Sequence, residues 1–172
     1  MYKIKQFFKR IYNLYRWFPI IWKDQDWDHT YIYEILKFKL KNQAEYIGYH
    51  DRHVSAKRDA EIMMLCVRLI EKCQEDYYGT ECFKYRTAES VFTPSKEYPG
   101  SYEWDLVETS NNYYDYFDKY RRIYKQVLEA EKTPFKKDSI AGIAFNIAHI
   151  NEERAHKLLF KILEENIDKW WD

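Results

Sequence analysis

The stretch SIAGIAFNIAHINEERAHKLLFKILEENID (residues 139–168) decides the fold. Its apolar residues Ile140, Ile143, Ala144, Ile147, Ile150, Ala155, Leu158, Leu159, Ile162, Leu163 and Ile167 recur three and four places apart. That spacing puts them on one face of a long α-helix. Asp138 precedes it in an N-cap position, so a helix to about residue 168 is expected. Just upstream, Thr133-Pro134 breaks the chain. Before the break, Tyr113, Tyr116, Phe117, Tyr120, Ile123, Tyr124, Val127 and Leu128 form another helical stripe, predicting a helix over 112–131.

Further upstream the rhythm changes. Pro94, Pro99 and Gly100 cluster, and Tyr102, Trp104 and Leu106 alternate with Glu103, Asp105 and Val107. A period of two signals strands, so 80–110 reads as a small β-hairpin or irregular excursion. Ser55 caps a helix over 56–78, with Gly79 at its stop. Ala60, Met63, Met64, Val67, Ile70 and Tyr77, widened by Ile62, Cys66, Leu69 and Cys73, predict a central helix packed on two sides. Asp28 or Thr30 caps a helix over 29–48, with Ile32, Ile35, Leu36, Leu40 and Ile47 inward and Gly48 at its end. The first helix should stop before Pro19, because a residue preceding proline avoids helical dihedrals. The fold class is therefore mainly α: one single-domain bundle of about five helices, with the hairpin near 80–110.

Composition agrees. The 172 residues include only four Gly and four Pro, few breakers for a many-stranded sheet. Aromatic residues make up 19%, enough to exclude wholesale disorder. Twenty-eight basic and 28 acidic side chains give zero formal charge, which argues against general nucleic-acid binding. No apolar run reaches ~18 residues, so no transmembrane segment is expected. Cys66 and Cys73 lie seven apart on one helix, ~10.5 Å along its axis, beyond the ~7 Å limit for a disulfide. A reducing, cytoplasmic setting follows as an expectation.

Residues 1–23 carry Lys3, Lys5, Lys9, Arg10, Arg16 and Lys23 and no acid, with Ile4, Phe7, Phe8, Ile11, Tyr15 and Phe18 at helical spacing. There is no uninterrupted apolar core or small-residue cleavage site, so a signal peptide is not expected. Such a helix can dock on the rest of the fold with its charged face wet, lie on an anionic membrane, or offer cations to phosphates.

Three clusters suggest chemistry. Asp24, Asp26 and Asp28 open like a calcium loop. The match fails at His29, where Gly is needed, and at Ile35, where Glu is needed. Glu153 and His156 have the Glu-x-x-His spacing of di-iron bundles, but a second such motif is missing. His50, Asp51, Arg52, His53, Lys57 and Arg58 crowd one helix start, where backbone N–H groups and cations attract anions. No G-x-S-x-G, G-x-x-x-x-G-K or C-x-x-C occurs. The chain thus reads as a binding protein and not an enzyme, with no cofactor.

Three segments belong together: RWFPIIWKDQDWDHTYIYEILKFKLK (16–41), KRDAEIMMLCVRLIEKCQEDYY (57–78) and RAHKLLFKILEENIDKWWD (154–172). They resemble a family of small proteins of large tailed bacteriophages, marked by W-x-P-I-I-W-K-D-x-D-W-D and a closing L-L-F-K-I-L-E-x-x-I-x-x-W-W-D. The resemblance implies a host-modulating, anti-defence role in the host cytoplasm: sequestering a small anionic nucleotide, such as a cyclic dinucleotide, without hydrolysis. The expected ligand-binding residues are Trp22, Lys23, Trp27, His53, Arg58, Arg154 and His156, with rings stacking on a base and cations pairing phosphates. Two alternatives stand beside it. One is a module docking on a host or phage protein; the other is a metal-dependent enzyme using the Glu153/His156 face. A homo-oligomer is expected.

Overall fold

The computed structural model describes residues 2–24, 27–28, 30–50 and 53–171. The chain is mainly α-helical, with one two-stranded antiparallel sheet among the described residues. It divides into two compact units: Met1–Gln74 with Lys161–Asp172, and Glu75–Phe160.

In the first unit, α1 spans Tyr2–Ile21, α2 Thr30–His50 and α3 Ala56–Gln74. Helix α1 runs past the expected stop and contains Pro19. The proline sits in the last turn, where only one intrahelical bond is forfeited. The turn then tightens: the Trp22 N–H donates to Phe18 at 2.9 Å and Asp24 to Ile21 at 3.2 Å. Asp28 starts α2 as expected, accepting from the Thr30 N–H at 2.9 Å and the Thr30 hydroxyl at 2.7 Å. Ser55 closes the start of α3 differently: its hydroxyl donates to the Asp59 carboxylate at 2.8 Å.

Helices α2 and α3 form an antiparallel pair. Near one end the Lys37 ammonium reaches Gln74 at 2.8 Å; near the other, a Cβ on Gly48 would lie 3.3 Å from that of Ala60. Gly48 therefore lies within α2 and permits a close helix crossing, where a helix stop was expected. Leu40, Ala44, Ile47, Met63, Cys66, Val67 and Ile70 are buried. Ile32 and Ile35, expected inward, are exposed, because α2 buries apolar residues only from Leu40 onward.

The second unit opens with a change of course. Helix α3 ends at Gln74 and Asp76 takes a left-handed φ of 49°. The stop thus falls at Asp76, three residues before the expected Gly79. Gly79 instead lies in the short helix α4 (Tyr77–Thr80), where any Cβ would strike the Asp76 side chain. A 3₁₀ turn (Glu81–Tyr85) leads to β1 (Arg86–Pro94), which pairs with β2 (Tyr102–Asn111). The expected hairpin is thus present. Phe92 faces Trp104 and Pro94 faces Tyr102, with a register shift at Thr87/Ala88. The connecting loop closes through Ser95 N–H to Ser101 at 2.9 Å, and Gly100 supplies the positive φ of 88°.

The single helix expected over 112–131 is two: α5 (Tyr113–Lys119) and α6 (Arg121–Glu129), broken at Tyr120. The Tyr120 side chain is anchored at this point. Its hydroxyl donates to buried Glu81 at 2.6 Å, while the backbone at Tyr120 leaves the helical region (φ −112°, ψ 38°). Helix α7 (Ile140–Asn166) contributes to both units and gives way to a 3₁₀ turn over Ile167–Trp171. Its cap is Ser139, whose hydroxyl accepts from the Gly142 N–H at 3.0 Å, in place of Asp138. The core of this unit is aromatic: Tyr113, Tyr116, Phe117, Ile123, Val127, Ala144 and Ile147 around Cys82. The rings of Phe117 and Tyr124 stack at 4.7 Å, 5° from parallel. Leu128, Ile140, Leu158 and Ile167 fall at the edges of their stripes and are exposed.

Candidate ligand cleft

The residues expected to hold a ligand are distributed over both units. Trp22, Lys23, Trp27, His53 and Arg58 belong to the first, Arg154 and His156 to the second. Trp22 and Trp27 are exposed, not core; Trp22 leans on Phe18, ring centres 5.2 Å apart. Lys23 lines a cavity of about 380 Å³ with Pro19, Ile20, Asp28, Thr30, Tyr31 and Glu34. Two carboxylates in that lining oppose a phosphate. His53 is committed to Asp59, its Nε2 2.8 Å from the carboxylate. Burial alone would raise Asp59, but His53 and Ser55 hold its carboxyl below the usual range. Arg58 is exposed nearby, while Asp51 and Arg52 lie outside the described residues. The cavity of this unit that does pair an indole with a guanidinium is lined by Trp17 and Arg16 and by none of the expected ligand residues.

On α7, Arg154 is exposed and His156 half-buried. Glu153 lies between Lys157 at 2.9 Å and His149 at 3.4 Å, and the bond from the Lys157 ammonium keeps its carboxyl low. Among the described residues no group of three His, Cys, Asp or Glu side chains is placed to hold a metal ion. The Asp24/Asp26/Asp28 reading includes Asp26, which lies outside the described residues.

A different set of residues converges at the foot of the hairpin. Lys84, Tyr85, Arg86 and Thr87 approach Ser110, Asn111, Asn112 and Asp115 around a polar cleft of about 410 Å³. The fold creates it in two steps. The 3₁₀ turn delivers Lys84 to Arg86 directly into β1, and the end of β2 delivers Ser110 and Asn111 opposite them. The Asn112 N–H then donates to the Tyr85 carbonyl at 2.7 Å, which closes the base.

Aromatic faces hold both cations. The Arg86 guanidinium lies 4.6 Å from the Phe83 ring centre and 5.8 Å from that of Phe145. The Lys84 ammonium lies 4.9 Å from that of Tyr77. Neither is within ion-pair distance of a carboxylate among the described residues. Asp115 is occupied by the Asn112 amide, and Asn111 donates to Glu108 at 2.6 Å. The cleft is thus lined by two basic residues, whose charged ends rest on rings at its margin, by Thr87 and Ser110 with a hydroxyl each, and by the Asp115 carboxylate.

The sequence carried a weak signal for it. K-Y-R-T (84–87) and S-N-N (110–112) sit at two segment ends, but only the strand register brings them together. No protein-family model, curated protein or solved structure matches the chain.

Proposed function

We propose that the protein binds a small anionic nucleotide without chemical turnover, as the bacteriophage resemblance implies, and that the hairpin cleft receives it. The observation that carries this reading is the pair Lys84 and Arg86, two basic residues that line one polar cleft and have no carboxylate within ion-pair distance among the described residues. Charge-assisted hydrogen bonds from Arg and Lys are the strong, geometrically specific contacts to phosphate. Asp115 adds selectivity. It repels bare phosphate but accepts from a ribose hydroxyl or a base amine, so a nucleotide fits better than an inorganic ion. The lining provides no Ser-His or Cys-His pair that would attack the ligand.

Calorimetric titration with cyclic dinucleotides, ADP-ribose and inorganic phosphate tests this. A nucleotide should bind and raise the melting temperature by mass action. Lys84→Ala should weaken binding roughly tenfold or more, the equivalent of one charge-assisted bond. If no nucleotide binds, or if binding survives both Lys84→Ala and Arg86→Gln, the reading is wrong.

A further inference from the structure

Helix α1 packs the wrong way round for a bundle helix. Its contact with α2 is made by Asn13, Arg16 and Trp17, which line a small cavity with Phe38, Lys39 and Asn42. The Trp17 ring meets that of Phe38 at 4.7 Å, and Arg16 is bonded to Asn42. Ile20 follows on the same side and is half-buried. The apolar stripe lies roughly half a turn round the helix: Ile4, Phe7, Phe8, Ile11, Leu14, Tyr15, Phe18 and Trp22. Each of these eight is between 48% and 78% exposed, and α1 buries no residue at all. Lys3 and Arg10 border the stripe on one side and Lys5 on the other, with Lys9 behind.

We infer that α1 is a membrane-surface helix that lies in the plane of an anionic phospholipid bilayer. An apolar, aromatic face with lysine and arginine on its flanks is what an interfacial helix requires. Tyrosine and tryptophan, here Tyr15 and Trp22, favour the headgroup boundary. Among the described residues no helix is long and apolar enough to cross a membrane, so α1 lies on the surface and does not span it. The charge identifies the occupant. No acidic residue occurs before Asp24. A second copy seated face to face on α1 would bring lysine and arginine borders together with nothing to neutralise them. An anionic headgroup layer meets the same borders with opposite charge. The attachment does not depend on the hairpin cleft.

The test is flotation of the full chain with vesicles, either pure phosphatidylcholine or equal parts phosphatidylcholine and phosphatidylglycerol. The bound fraction should be roughly tenfold higher on the anionic vesicles and fall with added salt. The double variant Phe7→Glu/Phe18→Glu should abolish binding while keeping the thermal midpoint, since both rings are exposed. Lys5→Glu/Arg10→Glu should remove the preference for anionic lipid. Absence of binding to the anionic vesicles overturns the inference. So does wild-type binding by the Phe7→Glu/Phe18→Glu chain, or a dimer in solution that these substitutions split.

Discussion

The Glu81 carboxylate is 3% exposed and accepts from three side chains: Tyr120 at 2.6 Å, Tyr77 at 3.2 Å and the Lys119 ammonium. Burial alone would raise its pKa; the bonds from Lys119, Tyr120 and Tyr77 overcome that and hold it below the usual value. Lys119 is 45% exposed, and its bond to Glu81 holds its pKa above the ordinary lysine value. The two ends of the pair are therefore unequal. Lys119→Met strands a buried carboxylate, a change that costs about 3–5 kcal/mol. Glu81→Gln frees an ammonium that can turn into water, so only hydrogen-bond strength is lost, about 2 kcal/mol. That corresponds to a melting midpoint lower by roughly 4–8 °C. The double variant should cost less than the two singles combined, because it leaves no stranded charge. The pH dependence separates the variants further. In the native chain Glu81 has a lowered folded pKa, so its contribution is present above the unfolded value. It is lost as pH falls through the folded one. In Lys119→Met the burial effect prevails, the folded pKa moves up, and acidification should recover stability. Chemical denaturation of the four chains at neutral and mildly acidic pH decides the matter. If Glu81→Gln costs as much as Lys119→Met, or if the costs simply add, the account of an unequal pair is refuted.

Two further predictions follow from close packing. Gly142→Ala should destabilise by about 1–3 kcal/mol in thermal unfolding, because the new methyl would strike the Lys136 carbonyl oxygen. Helix propensity alone argues for a gain of about 1 kcal/mol, so the sign discriminates. Burial pushes the Cys66 and Cys82 thiols up to about 11, while Cys73 is only half-buried. Thiol labelling of the native chain should therefore modify Cys73 first, with Cys66 and Cys82 reacting fully only in denaturant; rapid native labelling of Cys66 would contradict the packing of α3.

Helix periodicity and the hairpin were legible because they depend on local spacing. The alternation around Trp104 is a property of a single strand, and the stripe through Ile147 is a property of a single helix. What escaped the sequence depends on long-range partners. Tyr120 continues an apolar stripe, yet its hydroxyl is bound to Glu81, 39 residues earlier, at the point where the helix divides. Gly48 signals a stop in isolation, yet Ala60 crossing beside it makes it an interior contact residue. Asn146 gave no signal at all. It is buried and fixes the segment before α7, accepting from the Phe135 N–H at 3.1 Å and donating to the Phe135 carbonyl at 2.9 Å. The ligand residues suffered in the same way. His53 and Arg58 were read as anion-seeking because they crowd one helix start in the sequence, but Asp59, six residues on, takes His53. Lys84 and Arg86 drew no notice because the residues that complete their cleft lie some 25 positions later, across the strand register.

The zero net charge of the chain conceals a segregation that bears on how it meets a surface. The first 23 residues hold six of the 28 basic side chains and none of the 28 acidic ones, leaving 22 against 28 in the remainder. Among the described residues, apolar faces are exposed on α1 and on the hairpin, where Phe92, Tyr102, Trp104 and Leu106 share a side. Charge distinguishes between them. The hairpin and its loop carry Glu89, Glu97, Glu103, Asp105 and Glu108 against Arg86 and Lys96. An anionic bilayer therefore attracts the α1 face and repels the hairpin face. Because this discrimination is electrostatic, it weakens as salt shortens the Debye length to about 3 Å at 1 M. The apolar contact of Phe7, Phe18 and Trp22 does not weaken in that way. Salt should thus abolish the preference for anionic lipid before it abolishes attachment, an order that a purely ionic contact could not produce.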